Sequence, residues 1–429
     1  MRSFFSYRFL VLLLLSFFFQ KCSDTCKVTN TYTYYQPVYT TSAEVRNSVR
    51  YEAPHELKNP GRIYFKDNFL FVNETGQGIH VINNTNPASP TPVGFLKIPG
   101  NYDLAISGNY LYADSFIDMV IFDVTDKTLI KEFKRIENVF DHSLSYGFPM
   151  VNNGNFLTSW KQVKSVNVVE SNCSYEMQPW GGRVYDDGIM FAAVSGAQTT
   201  VPTTSPISQT GIGGSTARFT ITQGNLYALD TYKLEVIDIS QPANPQFGKE
   251  LNLSWDVETL FPYKDKLFIG SRSGMSIYDL KTPANPVFIS KYEHLRSCDP
   301  VVVDDTYAYV TLRNGSSCTG FTNQLEVIDI TNLSSPKLVK AYPMTNPYGL
   351  GIDQKLLFVC DGSAGLKIYD AADVSKLDDN QLAHYPGISS VDVIPFNTLA
   401  MMIANDGLYQ YNYADPKNIY LVSKVAIVR

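Results

Sequence analysis

At 429 residues, 44% of them hydrophobic, the chain is long enough for two or three ordinary domains and rich enough to bury a large core. Its aromatic content, chiefly 28 Tyr and 25 Phe, suits half-buried strands better than helices. A formal charge of −6 with no basic stripe removes the attraction on which nucleic-acid binding chiefly rests, so no nucleic-acid partner is expected.

The N-terminus carries an address. Arg2 and Arg8 precede an apolar run from Phe9 to Phe19, short for a membrane span but of the length of a secretory h-region. Gln20, Lys21 and Cys22 follow at once. A Cys directly behind an h-region resembles the cleavage site of a bacterial lipoprotein, and Ser23-Asp24 after it resembles the Bacteroidetes type. Lys21 departs from that pattern, which usually has a small residue there. The resemblance implies a signal peptide over residues 1–21, lipid attachment at Cys22, and residence in the envelope as an outer-membrane lipoprotein. An ordinary secreted protein cleaved nearby and a signal anchor are the other readings of the same run. Export permits disulfides, and Cys26, Cys173, Cys298, Cys318 and Cys360 leave at least one thiol over. Cys298 and Cys318, within one repeat, are the pair to test first. No CxxC or Cys/His cluster suggests a metal, and no cofactor is expected.

Residues 22–56 form the tether. Tyr32-Thr33-Tyr34-Tyr35 is strand-prone, and the polar stretch from Ser42 to Arg50 reads as a helical turn or two. The strand is expected to pair with the blade at the other end of the chain and so close the fold, removing an exposed sheet edge.

From residue 57 to 429 one pattern dominates. The hexapeptides starting at Ile79, Met119, Leu234, Met275, Leu325, Leu366 and Leu408 are near copies, with starts 40, 115, 41, 50, 41 and 42 residues apart. That is the period of a four-stranded propeller blade. Around each copy the grammar repeats. An opening strand such as Gly61–Phe65, a turn such as Lys66-Asp67-Asn68 and a second strand such as Phe69–Val72 precede the hexapeptide. A Pro-rich turn follows it, as in Gln241–Pro245 and Thr282–Pro286, where proline sits between strands because it fixes φ and donates no hydrogen bond. Leu234–Ile239 and Leu325–Ile330 best resemble the LVIVD-repeat family of β-propellers, found especially in exported bacterial proteins. The expected fold is all-β: a β-propeller of seven four-stranded blades, with six or eight as alternatives. The resemblance implies a fold and no agreed activity.

The repeat breaks at about residues 139–213. This stretch holds Asp141-His142, Trp160, Trp180, a strand-like Gly188–Val194 and a low-complexity loop from Ser195 to Ser215. It reads as an insertion between the second and third blades rather than a degenerate eighth, and such loops commonly carry binding specificity.

Aligned opening strands place Arg62, Asp103, Arg218, Glu258, Asp299 and Asp392 at one position, with Tyr348 or Gly349 in the sixth repeat. Charges inside apolar strands are paired or wet. These would converge on the channel, either to hold the ring together or to bind a polar ligand or cation there. Catalytic motifs are absent, and the histidines, His55, His80, His142, His294 and His384, are scattered one per region, His80 as a packed strand residue. The function expected is a monomeric, envelope-anchored module that binds or scaffolds an unknown protein or polar ligand. The alternative is a hydrolase or lyase acting on envelope glycans or peptides, with Asp103, Glu258 and Asp299 as acid and base; carboxylates open to a pocket would favour it and carboxylates sealed by arginine would oppose it.

Overall fold

All seven signature hexapeptides form the third strand of a four-strand antiparallel run, as the repeat predicts. The computed structural model describes residues 25–140, 151–172, 210–230, 232–254, 256–294, 300–314 and 322–427. The chain divides into two compact units, one of residues 1–38 and 159–189, the other of 39–158 and 190–429.

In the larger unit the first sheet is built from Pro60–Lys66, Phe69–Glu74, Gly78–Asn83 and Thr91–Lys97. The second runs Leu104–Ser107, Tyr110–Ser115, Asp118–Asp123 and Lys131–Ile136, and the third Phe219–Thr222, Asn225–Asp230, Lys233–Asp238 and Gln246–Phe247. Four more follow with the same order, opening on Val257–Tyr263, Val301–Val303, Leu350–Asp353 and Ser390–Phe396. The first two strands meet in tight turns. Asp67-Asn68, Gln354-Lys355 and Asn397-Thr398 all hold positive φ at both central positions, the geometry whose twist matches paired strands. Second strands are buried on both faces (Leu70, Phe71 and Val72 in the first sheet, Leu357, Phe358 and Val359 in the sixth), so sheets pack face to face. Each such side chain contributes about 1.5–3 kcal/mol by leaving water.

Opening strands of successive sheets lie against one another, and that of the seventh, Ser390–Phe396, lies against that of the first, Pro60–Lys66. A second set of links joins the sheets further out, and it explains the Pro-rich turns. In each case a side chain donates to a carbonyl of the third-to-fourth turn of the next sheet. Tyr51 Oη reaches Lys127 O at 2.7 Å, Lys134 Nζ reaches Ala243 O at 2.7 Å, and Tyr227 Oη reaches Pro283 O at 2.9 Å. Ser290 Oγ meets Leu333 O at 2.5 Å, Tyr342 Oη meets Val374 O at 2.6 Å and Tyr385 Oη meets Ile419 O at 2.6 Å. Finally Ser423 Oγ of the seventh sheet meets Pro87 O of the first at 2.6 Å, beside a reciprocal amide pair of Asn84 and Gln410 at 2.8 Å. A turn that must present acceptors and continue no ladder is where proline is tolerated.

The N-terminal segment departs from expectation. Thr25–Thr41 is a strand, but it pairs with Asn155–Asn172, and Arg50–Glu52 adds to the outer edge of the first sheet. Neither pairs with the seventh sheet, because Tyr420–Ala426 already supplies its fourth strand. Between them Ser42–Asn47 forms the expected short helix, started by a capping box of Thr41 and Glu44. Its Arg46 binds Asp118 through Nε and Nη2 at 2.7 and 3.0 Å, and Phe116 stacks on Phe156 at 5.0 Å.

Candidate functional site

The charged positions of the opening strands divide into three groups. Arg62, Asp103 and Arg218 come together around a cavity of about 40 Å³ that Tyr102, Asp114 and Phe140 also line. Arg62 Nη1 stands 3.5 Å from Asp103 Oδ2 and donates to Tyr102 O, with only 2% of its surface exposed. Asp103 Oδ2 accepts the backbone N–H groups of Arg218 and Phe219 at 2.7 and 2.8 Å, across the junction of the second and third sheets. Burial pushes the Asp103 carboxyl up to about 6 against the pull of Arg62 and these donors, and burial likewise lowers Arg218. Glu258 pairs instead with Arg272 of its own sheet, Nε to Oε1 at 2.7 Å, and is raised by burial.

Asp392 stands apart from the arginines. Its Oδ1 accepts from Ser215 N, Ser215 Oγ and Val393 N at 3.0, 3.1 and 3.0 Å, and its Oδ2 from Thr216 Oγ1 at 3.0 Å. Burial pushes it up to about 7. Gly349 explains the uncharged position in the sixth repeat: a Cβ there would lie 2.1 Å from Asp392 Oδ1. Asp299, Cys22, Cys298, Cys318 and His142 lie outside the described residues.

The donors to Asp392 belong to a segment that the sequence disguises. Residues 210–216, the end of the low-complexity loop, run among the opening strands. Thr210 bridges Ser107, and Gly211 N donates to Ile106 O at 2.9 Å in the second sheet. Ile212 and Gly213 pair with Phe65 and Tyr64 of the first sheet, on the edge away from its second strand. Ser215 Oγ accepts Leu350 N of the sixth sheet at 2.5 Å while its own N–H goes to the seventh. Ile212, Ser215, Thr216 and Ala217 are all buried. The signal in the sequence was Gly211, Gly213 and Gly214 around one Ile, since glycine permits close backbone approach. A Cβ on Gly211 would meet Tyr64 Cε1 at 2.3 Å.

A second cluster lies across the first sheet. Val72 is opposite His80 in the register, so Glu74, two residues on, shares the His80 face, and His80 is in turn opposite Phe95. His80 Nε2 lies 2.6 Å from Glu74 Oε2, with 3% and 6% of the two residues exposed. The ring of His55, from the connection between Arg50–Glu52 and Pro60–Lys66, sits 4.1 Å from Phe95 and 4.8 Å from His80, centroid to centroid. His80 is packed, as expected. The scatter of histidines is corrected, because the fold brings His55 to His80, which no linear spacing announces. Potential ligand atoms of His55, Glu74 and His80 all lie within 4.8 Å of one another.

Three segments, residues 101–136, 213–252 and 296–344, match the LVIVD repeat. No curated protein sequence matches the chain. Among solved structures the chain is similar to a protein from Lactobacillus plantarum, with 10% identity over 77% of this chain and 86% of that one and a TM-score of 0.48. It is also similar to Sqt1 of Saccharomyces cerevisiae (10% identity, 87% of each chain, TM-score 0.47). A third is Hsv2 of Kluyveromyces lactis (9% identity, 86% of this chain and 100% of that one, TM-score 0.47).

Proposed function

We propose that the chain is a binding or scaffolding module of the bacterial cell envelope, held by lipid on Cys22, whose protein partner docks on the insertion and the strand paired with it. The observation that carries this is the ribbon of Thr25–Thr41 and Asn155–Asn172. At roughly 3.3 Å per residue each strand is about 55 Å long. Tyr32, Tyr34, Tyr35, Val166 and Val168 are exposed on it, by 45–59%. A third strand, Val151–Asn152, covers only Asn155 and Phe156, so most of the ribbon is two-stranded and marginal in water by itself, and a row of exposed tyrosines is the composition that interfaces bury.

The larger unit we take to be a closed ring of seven blades. Seven repeat sheets of four or more strands among the described residues, side-chain links that lead from each to the next, and the Ser423–Pro87 bond between last and first support that count. The hydrolase or lyase reading has less support. Asp103 accepts backbone N–H groups beside Arg62 in a cavity of about 40 Å³, and Glu258 is paired with Arg272, the sealing by arginine that opposes that reading.

The test is purification of the lipidated protein from its own envelope, beside a variant with Tyr32, Tyr34, Tyr35 and Val166 changed to Ser. Deleting the whole insertion is a poorer control, because Ile212 and Gly213 pair with the first sheet. A partner kept by the native chain and lost from the folded variant is expected. Equal recovery with both, or no partner with either, would overturn the proposal. Cys22→Ser should move the protein out of the membrane fraction.

A further inference from the structure

We propose that His55, Glu74 and His80 form a binding site for a divalent transition-metal ion of the zinc class. Two imidazoles and a carboxylate are a donor set for zinc, cobalt or nickel; calcium and magnesium take oxygen ligands. The potential donor atoms already lie within 4.8 Å of one another. Bonds of about 2.0–2.1 Å in a tetrahedral shell need them about 3.3 Å apart. Glu74 Oε2 and His80 Nε2, now at 2.6 Å, would release to solvent the proton they share and separate by less than an ångström, and His55 would close the remaining gap by a shift of its exposed side chain.

The surroundings prepare the two histidines differently. His80 is held between its strand neighbours and the Phe95 ring, whose centroid is 4.7 Å away. His55 Nδ1 lies 3.0 Å from Glu56 O, and a nitrogen facing a carbonyl must donate. That bond leaves the lone pair on His55 Nε2, the tautomer a metal requires, and it is the kind of outer bond that orients ligand histidines. A buried carboxylate beside a buried imidazole supplies charge from the core side. The exposed His55 side leaves a fourth position to water or to a ligand atom from another molecule. Glu74 and His80 alone make an ordinary strand-to-strand pair, so the proposal stands on His55.

The experiment uses the tag-free full chain, stripped with chelator and titrated with Co²⁺ alone, followed by displacement with Zn²⁺. One equivalent of Co²⁺ should bind with the strong visible absorption of a four-coordinate site, and one of Zn²⁺ should abolish it. His55→Ala, an exposed change that leaves the strands intact, should weaken binding about 100-fold, and Glu74→Gln should do likewise. His384→Ala, far along the chain, should bind as the native protein does. Absence of a saturable single equivalent in the native chain, unchanged binding in His55→Ala, or equal loss in His384→Ala would each overturn the proposal.

Discussion

Asp103 and Asp392 on one side, and Glu74 on the other, are all buried carboxylates in or next to strands of the repeating sheets, yet their partners differ in kind. The two aspartates accept mainly from backbone N–H and hydroxyl groups of another sheet or of the inserted segment. Glu74 meets an imidazole, with a second imidazole at an exposed edge beside it. A carboxylate answered by main chain is fixed wherever the fold is fixed, and has no capacity left for a ligand. One answered by side chains can exchange its partner for an ion. Charge in a strand therefore says little until its partner is known.

The comparison is broken hardest by Asp392→Ala, which strands the Ser215 and Val393 N–H groups and two hydroxyls in the core. A loss of about 3 kcal/mol is expected in denaturant unfolding. A change below about 1 kcal/mol would mean that these groups find other partners and that the framework role is misassigned. Gly349→Ala attacks the same bond from the opposite side by placing a methyl 2.1 Å from Asp392 Oδ1. It should cost about 1–3 kcal/mol as the strands shift to make room. Recovery in the Gly349→Ala/Asp392→Ala double variant would identify the clash as the cause.

The smallest effect is a sign. Asp103 and Asp392 are raised to about 6 and about 7, above the unfolded value of about 3.8, so between those limits the folded chain binds more protons than the unfolded one. Stability contributed by these groups must rise as pH falls from about 7 towards 4, with a slope of at most about 1.4 kcal/mol per pH unit for each. Asp392→Asn keeps an acceptor for Ser215 and should remove its share of that slope. Unfolding curves at pH 5, 6 and 7 compare the two, and a native chain that gains stability with rising pH over this range would contradict the assignment unless other groups are shown to outweigh it.

Much of the frame was legible because it is local and repeated. Turn, strand and hexapeptide recur within about 40 residues, and the seven third strands stand where their copies predict. The opening-strand charges were legible as positions but not as partners, since Ser215 and Asp392 meet across 177 residues. Gly349 could be read only once the neighbouring carboxylate was in view. The pairing of Thr25–Thr41 with the insertion was hidden for a related reason. Strand propensity says that Tyr32–Tyr35 is extended, and nothing local says which edge is open to receive it. The buried run at 212–215 read as the end of a low-complexity loop because its composition is that of a loop, and its burial comes from the sheets around it.

That buried run also constrains how the molecule can be assembled. Residues 211–216 hydrogen-bond to the first and second sheets, whose strands precede them in synthesis, and to the sixth and seventh, which come last. The early sheets therefore offer a template on which the segment can settle while the rest of the chain is still unfolded, and the late sheets shut over it. A chain folding in the reverse order would have to bring the segment in among sheets already packed together. Synthesis from the N-terminus delivers the pieces in the workable sequence, and refolding the intact chain from denaturant should be the slower route.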